Sequence, residues 1–133
     1  MADSLILTIA DLKQHLLDNI PAGHAANRIQ WPNAKKVDSQ GQKWLRVSAT
    51  NLDTDDVATG AGYRRTFGIF VIEVNVVKDA GDVAAIADAH ALKLSFQNQN
   101  LSNTKTLESS VILTGANDSW YTVQIQTNYY YEG

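Results

Sequence analysis

Residues 63–77, YRRTFGIFVIEVNVV, carry large apolar side chains in both of their alternate residue sets. Successive residues of a strand point to opposite faces, so Phe67, Ile69 and Val71 cover one side while Phe70, Ile72, Val74 and Val76 cover the other. Each face needs a cover. A chain of 133 residues makes one domain, residues 1–133, with one core and about two helices to pack on it. Either both helices are used on this strand or one face is covered by another subunit.

The first helix is legible at residues 5–20. Leu5, Ile9, Leu12, Leu16 and Ile20 fall on one stripe, the pattern of an amphipathic helix docked on a sheet. Asp3 or Ser4 is placed to cap it, or the start slips to Thr8, whose spacing to Asp11 resembles a capping box, and Pro21-Ala22-Gly23 stops it. Short extended pieces follow at 29–31 and 44–50, the second alternating Leu45, Val47 and Ala49 with Trp44, Arg46, Ser48 and Thr50 as a half-buried strand does. Residues 51–62, NLDTDDVATGAG, read as a polar connector into the central strand.

After a turn at 78–81, Asp82 is placed to cap a second helix running to about residue 98. At 100° per residue that helix has two apolar faces. Val83, Ala87 and Leu94, flanked by Ile86 and Ala91, fall together, and Ala85, Ala89, Leu92 and Phe96 fall nearly opposite. One face belongs to the sheet; the other meets the N-terminal helix or a neighbouring molecule. The chain closes with a hairpin of 111–114 and 120–131 around a turn at 115–118, in which Tyr121, Val123, Ile125, Thr127 and Tyr129 alternate with Thr122, Gln124, Gln126 and Asn128. The fold class expected is α+β, a mostly antiparallel sheet of about five strands with an N-terminal helix and a second helix at about 82–98 packed on it.

Composition narrows the chemistry. A net charge of −3 argues against a dedicated nucleic-acid binder, which needs a basic footprint to neutralise phosphates. The chain has no Cys, hence no disulfide or thiolate metal site. Its N-terminus lacks the basic and long apolar segments of an export signal or membrane span, and no secretory context supports the sequon at Asn117-Asp118-Ser119. His15, His24 and His90 show no metal-ligand spacing. Asp53, Asp55 and Asp56 begin like a calcium loop, but Ala58 and Arg64 stand where Gly and Glu are required. Gly60-Ala61-Gly62 enters a strand and opens no helix, so it offers no phosphate cradle. No Ser or Thr lies in a nucleophile turn. Trp31, Trp44, Trp120 and the tyrosines suit a stacking platform for bases or sugars, and equally suit core and edge anchoring. No catalytic residue, cofactor site or metal site is expected.

The ordered strings Ile29-Gln30-Trp31-Pro32-Asn33, Trp44-Leu45-Arg46-Val47 and 65–74, RTFGIFVIEV, followed by a Gly-Asp turn into an Ala-rich helix with Ala87-Asp88 and Phe96, then Trp120-Tyr121, resemble the tail terminator proteins of long-tailed bacteriophages. The resemblance covers nearly the whole chain and rests on the set rather than on any single string. It implies a structural protein without an active site, located in the virion at the head-proximal end of the tail and assembled in the host cytoplasm. It implies a homo-oligomer, a six-membered ring, that stops polymerisation of the tail tube protein and presents a surface to the head–tail connector. Membrane and specific nucleic-acid partners are not expected.

A closed ring joins two different patches on each subunit, which gives the two-faced elements a purpose. The candidate subunit-interface residues are Arg64, Arg65, Phe67 and Ile69 on the central strand and Ala85, Ala89, Leu92 and Phe96 on the second helix, with Arg64 and Arg65 expected to meet acidic groups across the boundary. Two other readings remain at this level: a different neck or head–tail joining protein, or a small ligand-binding or enzymatic α+β domain with residues 51–62 as its lid.

Overall fold

The computed structural model describes residues 4–38, 41–56, 64–79, 81–116 and 119–132; for Ser4, residues 51–56 and Arg64 the description covers the backbone alone. The elements are α1 (Ser4–Asp18), β1 (Ile29–Gln30), β2 (Trp44–Asp56), β3 (Arg64–Val77), α2 (Val83–Phe96), β4 (Lys105–Ala116) and β5 (Trp120–Glu132), with a 3₁₀ turn at Ala26–Arg28 before β1. The five strands form one sheet in the order β1-β2-β3-β5-β4. β1 runs parallel to β2 and the other pairings are antiparallel, so the α+β expectation holds with a mixed sheet.

Each helix arises from the pattern that foretold it. In α1, Leu12 and Leu16 are fully buried and Leu5 and Ile9 half-buried; the helix ends at Asp18, so Ile20, also half-buried, lies just past it rather than in its last turn. Thr8 is the fourth residue after the first helical turn begins and is buried inside the helix, so the alternative start there is excluded. In α2, Asp82 holds the N-cap position without a side-chain cap bond. Instead its carbonyl accepts from the Ile86 amide at 2.9 Å.

Registers fix which strand residues share a face. Leu45, Val74 and Val123 lie in one row and Val47, Ile72 and Ile125 in another. These side chains, with Phe70, Val76 and Tyr129, form one buried cluster with Leu12 and Leu16 of α1 and Ala85, Ala89, Leu92 and Phe96 of α2. Both helices therefore pack on the same side of the sheet. The path of the chain explains α2: β3 and β4 run in the same direction with β5 inserted between them, so the connecting helix crosses over β5. The two helices meet where His15 Nε2 donates to the Ser95 carbonyl at 2.6 Å and the His15 ring stands edge-on to Phe96, 4.7 Å away.

Two strands are longer than their apolar alternation. β2 continues through residues 51–56, paired to β3 past a bulge between Asn51 and Asp53, so half of the expected polar connector is strand; the remainder lies outside the described residues. β4 begins at Lys105 rather than at 111, because its first half buries polar groups that pair internally. Thr106 Oγ1 donates to the Phe96 carbonyl and accepts from the Gln99 amide, and Ser109 and Thr127 hydroxyls share a 2.7 Å hydrogen bond. Burying these hydroxyls is tolerated because each finds a partner.

Gly68 is required by its neighbour across the ladder. It stands opposite Tyr129, whose buried ring crosses it to place the hydroxyl 3.5 Å from the Thr50 carbonyl. Burial, and then the nearby Tyr131, push the Tyr129 phenol up to about 12, so it stays protonated as a donor. A Cβ on Gly68 would collide with the tip of that ring and with the Thr50 carbonyl oxygen. Gly68→Ala is expected to destabilise the fold by about 1–3 kcal/mol, as overpacking against backbone does, measured as a lowered urea midpoint at unchanged m-value.

Candidate assembly surface

With both helices on one side, the opposite face of the sheet has no covering element among the described residues. Its centre holds Ile69 and Val71, which lie half-buried among their in-sheet neighbours, beside the amide side chains of Gln124 and Gln126 from β5. One end carries Phe67 against Tyr130 at 5.8 Å, with the Arg65 guanidinium 4.4 Å above the Tyr130 ring. The other end carries Trp44 edge-on to Trp120 at 6.0 Å, with Arg46 over the Trp44 ring. Between them Glu73 lies 3.9 Å from Arg46 and accepts from Gln124 Nε2 at 3.0 Å, and Thr122 donates to Asn75 at 2.6 Å. The surface is aliphatic and amide-rich in the middle and aromatic at both ends, with Arg46 paired to Glu73 and Arg65 to Glu132.

The structure divides the expected interface residues into groups. Phe67 and Ile69 lie on this bare face. Arg65 is within the chain's own ion pair, its Nη2 donating to Glu132 Oε1 at 2.7 Å, so the expected pairing with acidic groups across a boundary is already made at home; the side chain of Arg64 is outside the described residues. Ala85, Ala89, Leu92 and Phe96 are each 0% exposed and form the protomer's core, with Phe96 stacked on Phe70 at 5.6 Å. Their assignment to a subunit boundary is corrected by this packing. The face that carries the largest side chain of the helix, Phe96, together with Leu92, is the one laid on the sheet. That leaves the other stripe outside: Val83 is 77% and Leu94 60% exposed. Of the two covers offered to this second stripe, α1 is excluded, since Val83 and Leu94 stay exposed with α1 in place.

Residues considered for chemistry are dispersed. His15 bonds Ser95, and His90 is exposed on α2. Among the described residues no group of three or more His, Asp or Glu is placed to hold a metal ion. Asp53, Asp55 and Asp56 lie along β2 rather than in a loop, and residues 57–63, with the Gly-Ala-Gly segment, are outside the described set. The three tryptophans do converge: Trp31, Trp44 and Trp120 line an open groove of about 750 Å³ with Arg46 and Lys36. Two of these rings pack on each other and one carries Arg46, which is the anchoring use of aromatics rather than a free stacking platform.

One cluster escaped sequence reading because its members are far apart in the chain. Asp88 on α2 accepts at a single oxygen, Oδ2, from His24 Nε2 at 2.8 Å and from Lys43 Nζ at 3.0 Å. Lys43 also donates to the Ala22 carbonyl, and Arg28 to the carbonyls of Lys43 and Gly23. The cluster ties the segment after α1 and the entry to β2 onto α2. His24 is 1% exposed in its side chain, and burial outweighs the attraction of Asp88 to hold its pKa below the ordinary 6.5.

The sequence profile of the phage tail terminator protein family matches residues 8–129. The chain belongs to that family. A solved structure superposes with a TM-score of 0.74 over 98% of this chain and 96% of its own, at 21% identity, a likeness that supports the fold. No curated protein matches the chain. A terminator is a structural component of the phage tail, and so of the virion. No described helix is long and apolar enough to cross a membrane.

Two outcomes follow from the Asp88 cluster. Because the folded state prefers neutral His24, the unfolded chain binds more protons below pH 6.5, so this group's contribution to stability falls as pH drops through 6.5 toward the lower folded value. Urea unfolding at about pH 7.5 and about pH 5 should show that loss, and His24→Gln should shrink it. Asp88→Ala, which strands Lys43 and His24 together, is expected to cost about 1–3 kcal/mol, read in the same assay.

Proposed function

We propose that this tail protein acts by assembly alone: copies join into a six-membered ring on the head-proximal end of the tail tube, end its polymerisation and present a surface to the head connector. The family match carries the reading. The bare sheet face and the exposed stripe of α2 support its assembly part, since a ring needs two unlike patches per subunit and this two-layer domain leaves apolar surface on both of its outer sides. The paired charges of Arg46, Glu73, Arg65 and Glu132 suit a surface that meets protein rather than phosphate. A protein of net charge −3 also suits a conduit through which DNA passes, because it does not hold the DNA by counterion release.

The reading is tested by adding the purified chain to polymerising tail tube protein. Mass by light scattering or native mass spectrometry should show a ring, alone or in the presence of tubes, and electron microscopy should show tubes capped at one end and arrested in length. A chain that stays monomeric with tubes present and leaves their lengths unchanged would exclude the terminator role.

A further inference from the structure

The sheet is open at both edges, and each edge is closed for part of its length by the chain's own backbone. On the outer edge of β2, β1 pairs only with Leu45 and Arg46; from Val47 onward no strand among the described residues lies beside it. On the outer edge of β4, the segment after α2 pairs back through Asn98 N to the Leu107 carbonyl at 2.8 Å and Thr106 N to the Gln99 carbonyl at 2.9 Å, and an isolated bridge joins Asn100 to Lys105. Beyond Leu107 the Gln97 side chain accepts from Ser109 N at 3.4 Å, and past Ser109 no strand among the described residues lies beside that edge.

Free edges are ordinarily blunted by lysine, proline, short length or bulges. Residues 109–114 of β4, Ser-Ser-Val-Ile-Leu-Thr, hold no charge and no proline. The bulges of β4 fall between Thr106 and Ser109 and between Leu113 and Gly115, which leaves 109–113 regular. Ile112 and Leu113 are 39% and 61% exposed there. An uncharged, β-branched, regular edge in a protein that must stay soluble as a subunit is a pairing site for another strand.

We infer that the free edge of β4 pairs, antiparallel, with the free edge of β2 in a second copy of this chain, so that the sheet runs continuously from subunit to subunit. This rests on the ring reading, which requires two unlike edges to meet head to tail. Strand directions allow it: they alternate through β2, β3, β5 and β4, so a following β2 beside β4 continues the alternation. The β2 edge is protected against its own kind by Asp53, Asp55 and Asp56, since like charges oppose β2–β2 pairing, whereas β4 at 109–113 opposes them with none. The free part of β2 lies toward the Arg64–Glu132 end of the sheet and that of β4 toward the Trp44–Trp120 end. Joining them staggers successive copies along the strands, the shear by which closed sheets tilt.

The test is hydrogen–deuterium exchange on the wild-type chain, free and in the ring formed on tail tubes, with Ile112→Lys/Leu113→Lys and Leu94→Lys variants compared in the same assembly. Edge lysines are the natural block to strand addition, and both β4 positions are exposed enough to accept them. Pairing predicts that outward amides in 110–113 and in β2 beyond Val47 slow by at least about tenfold on assembly. It also predicts that the β4 variant raises the concentration for assembly by at least about tenfold while Leu94→Lys does not. A ring that forms with those amides exchanging as in the free chain, or that Leu94→Lys abolishes and the β4 variant spares, overturns the edge pairing alone. Protection confined to β4 in a dimer means that two β4 edges meet about a two-fold axis, which also overturns it. A chain that never assembles with tubes overturns the ring reading and the pairing together.

Discussion

One-sided burial governs this structure. Phe70, Ile72, Val74 and Val76 of β3 and Val123, Ile125 and Tyr129 of β5 face a layer made by both helices, and the stack of Phe96 on Phe70 sits within it. The crossover from β3 to β4 places α2 above β5, and the His15 contact to Ser95 and Phe96 sets α1 beside it. With two helices on one side, none among the described residues remains for the other. A parallel-rich sheet buried on both faces needs helices on both; this mixed sheet, antiparallel in all but its β1–β2 pairing, tolerates one open face.

The open face is kept soluble by local pairing rather than by a covering layer. Aromatic rings at its two ends lean on each other and beneath guanidinium groups, and the intervening row joins Arg46, Glu73 and Gln124. Such contacts between exposed charges contribute little to folding stability, but they remove the need for a charged partner. What the sheet leaves unanswered is main-chain pairing at its edges. The segment after α2 and the two-residue β1 each close part of an edge and stop, which concentrates the unpaired backbone in two stretches at opposite ends of the sheet.

Much of the fold was legible because apolar periodicity reports burial. The stripe of α1, the alternation of β3 and β5 and the two faces of α2 all reappear in the structure at the positions the spacing implied. The first half of β4 was not legible, since Thr106 and Ser109 are buried polar residues whose partners lie on other elements. Residues 51–56 read as connector because their Asp-rich composition is that of a loop, while ladder pairing to β3 makes them strand. The tie of His24 and Lys43 to Asp88 was hidden for another reason: separations of 64 and 45 residues leave no local pattern.

By itself the sequence determined that the central strand is apolar on both sides, that α2 has two apolar stripes, and that the ordered strings along the chain are those of a tail terminator. It could not determine which stripe turns inward, because Ala85, Ala89, Leu92 and Phe96 and the opposing Val83, Ala87 and Leu94 are both apolar, and periodicity does not rank one face above another. Tertiary packing decided it: the face with Phe96 and Leu92 lies on the sheet and is fully buried, whereas the Val83 and Leu94 stripe stays exposed, with no element among the described residues over it. The same packing moved the open apolar surface to the sheet's far face, where Phe67, Ile69 and Val71 wait outside the core.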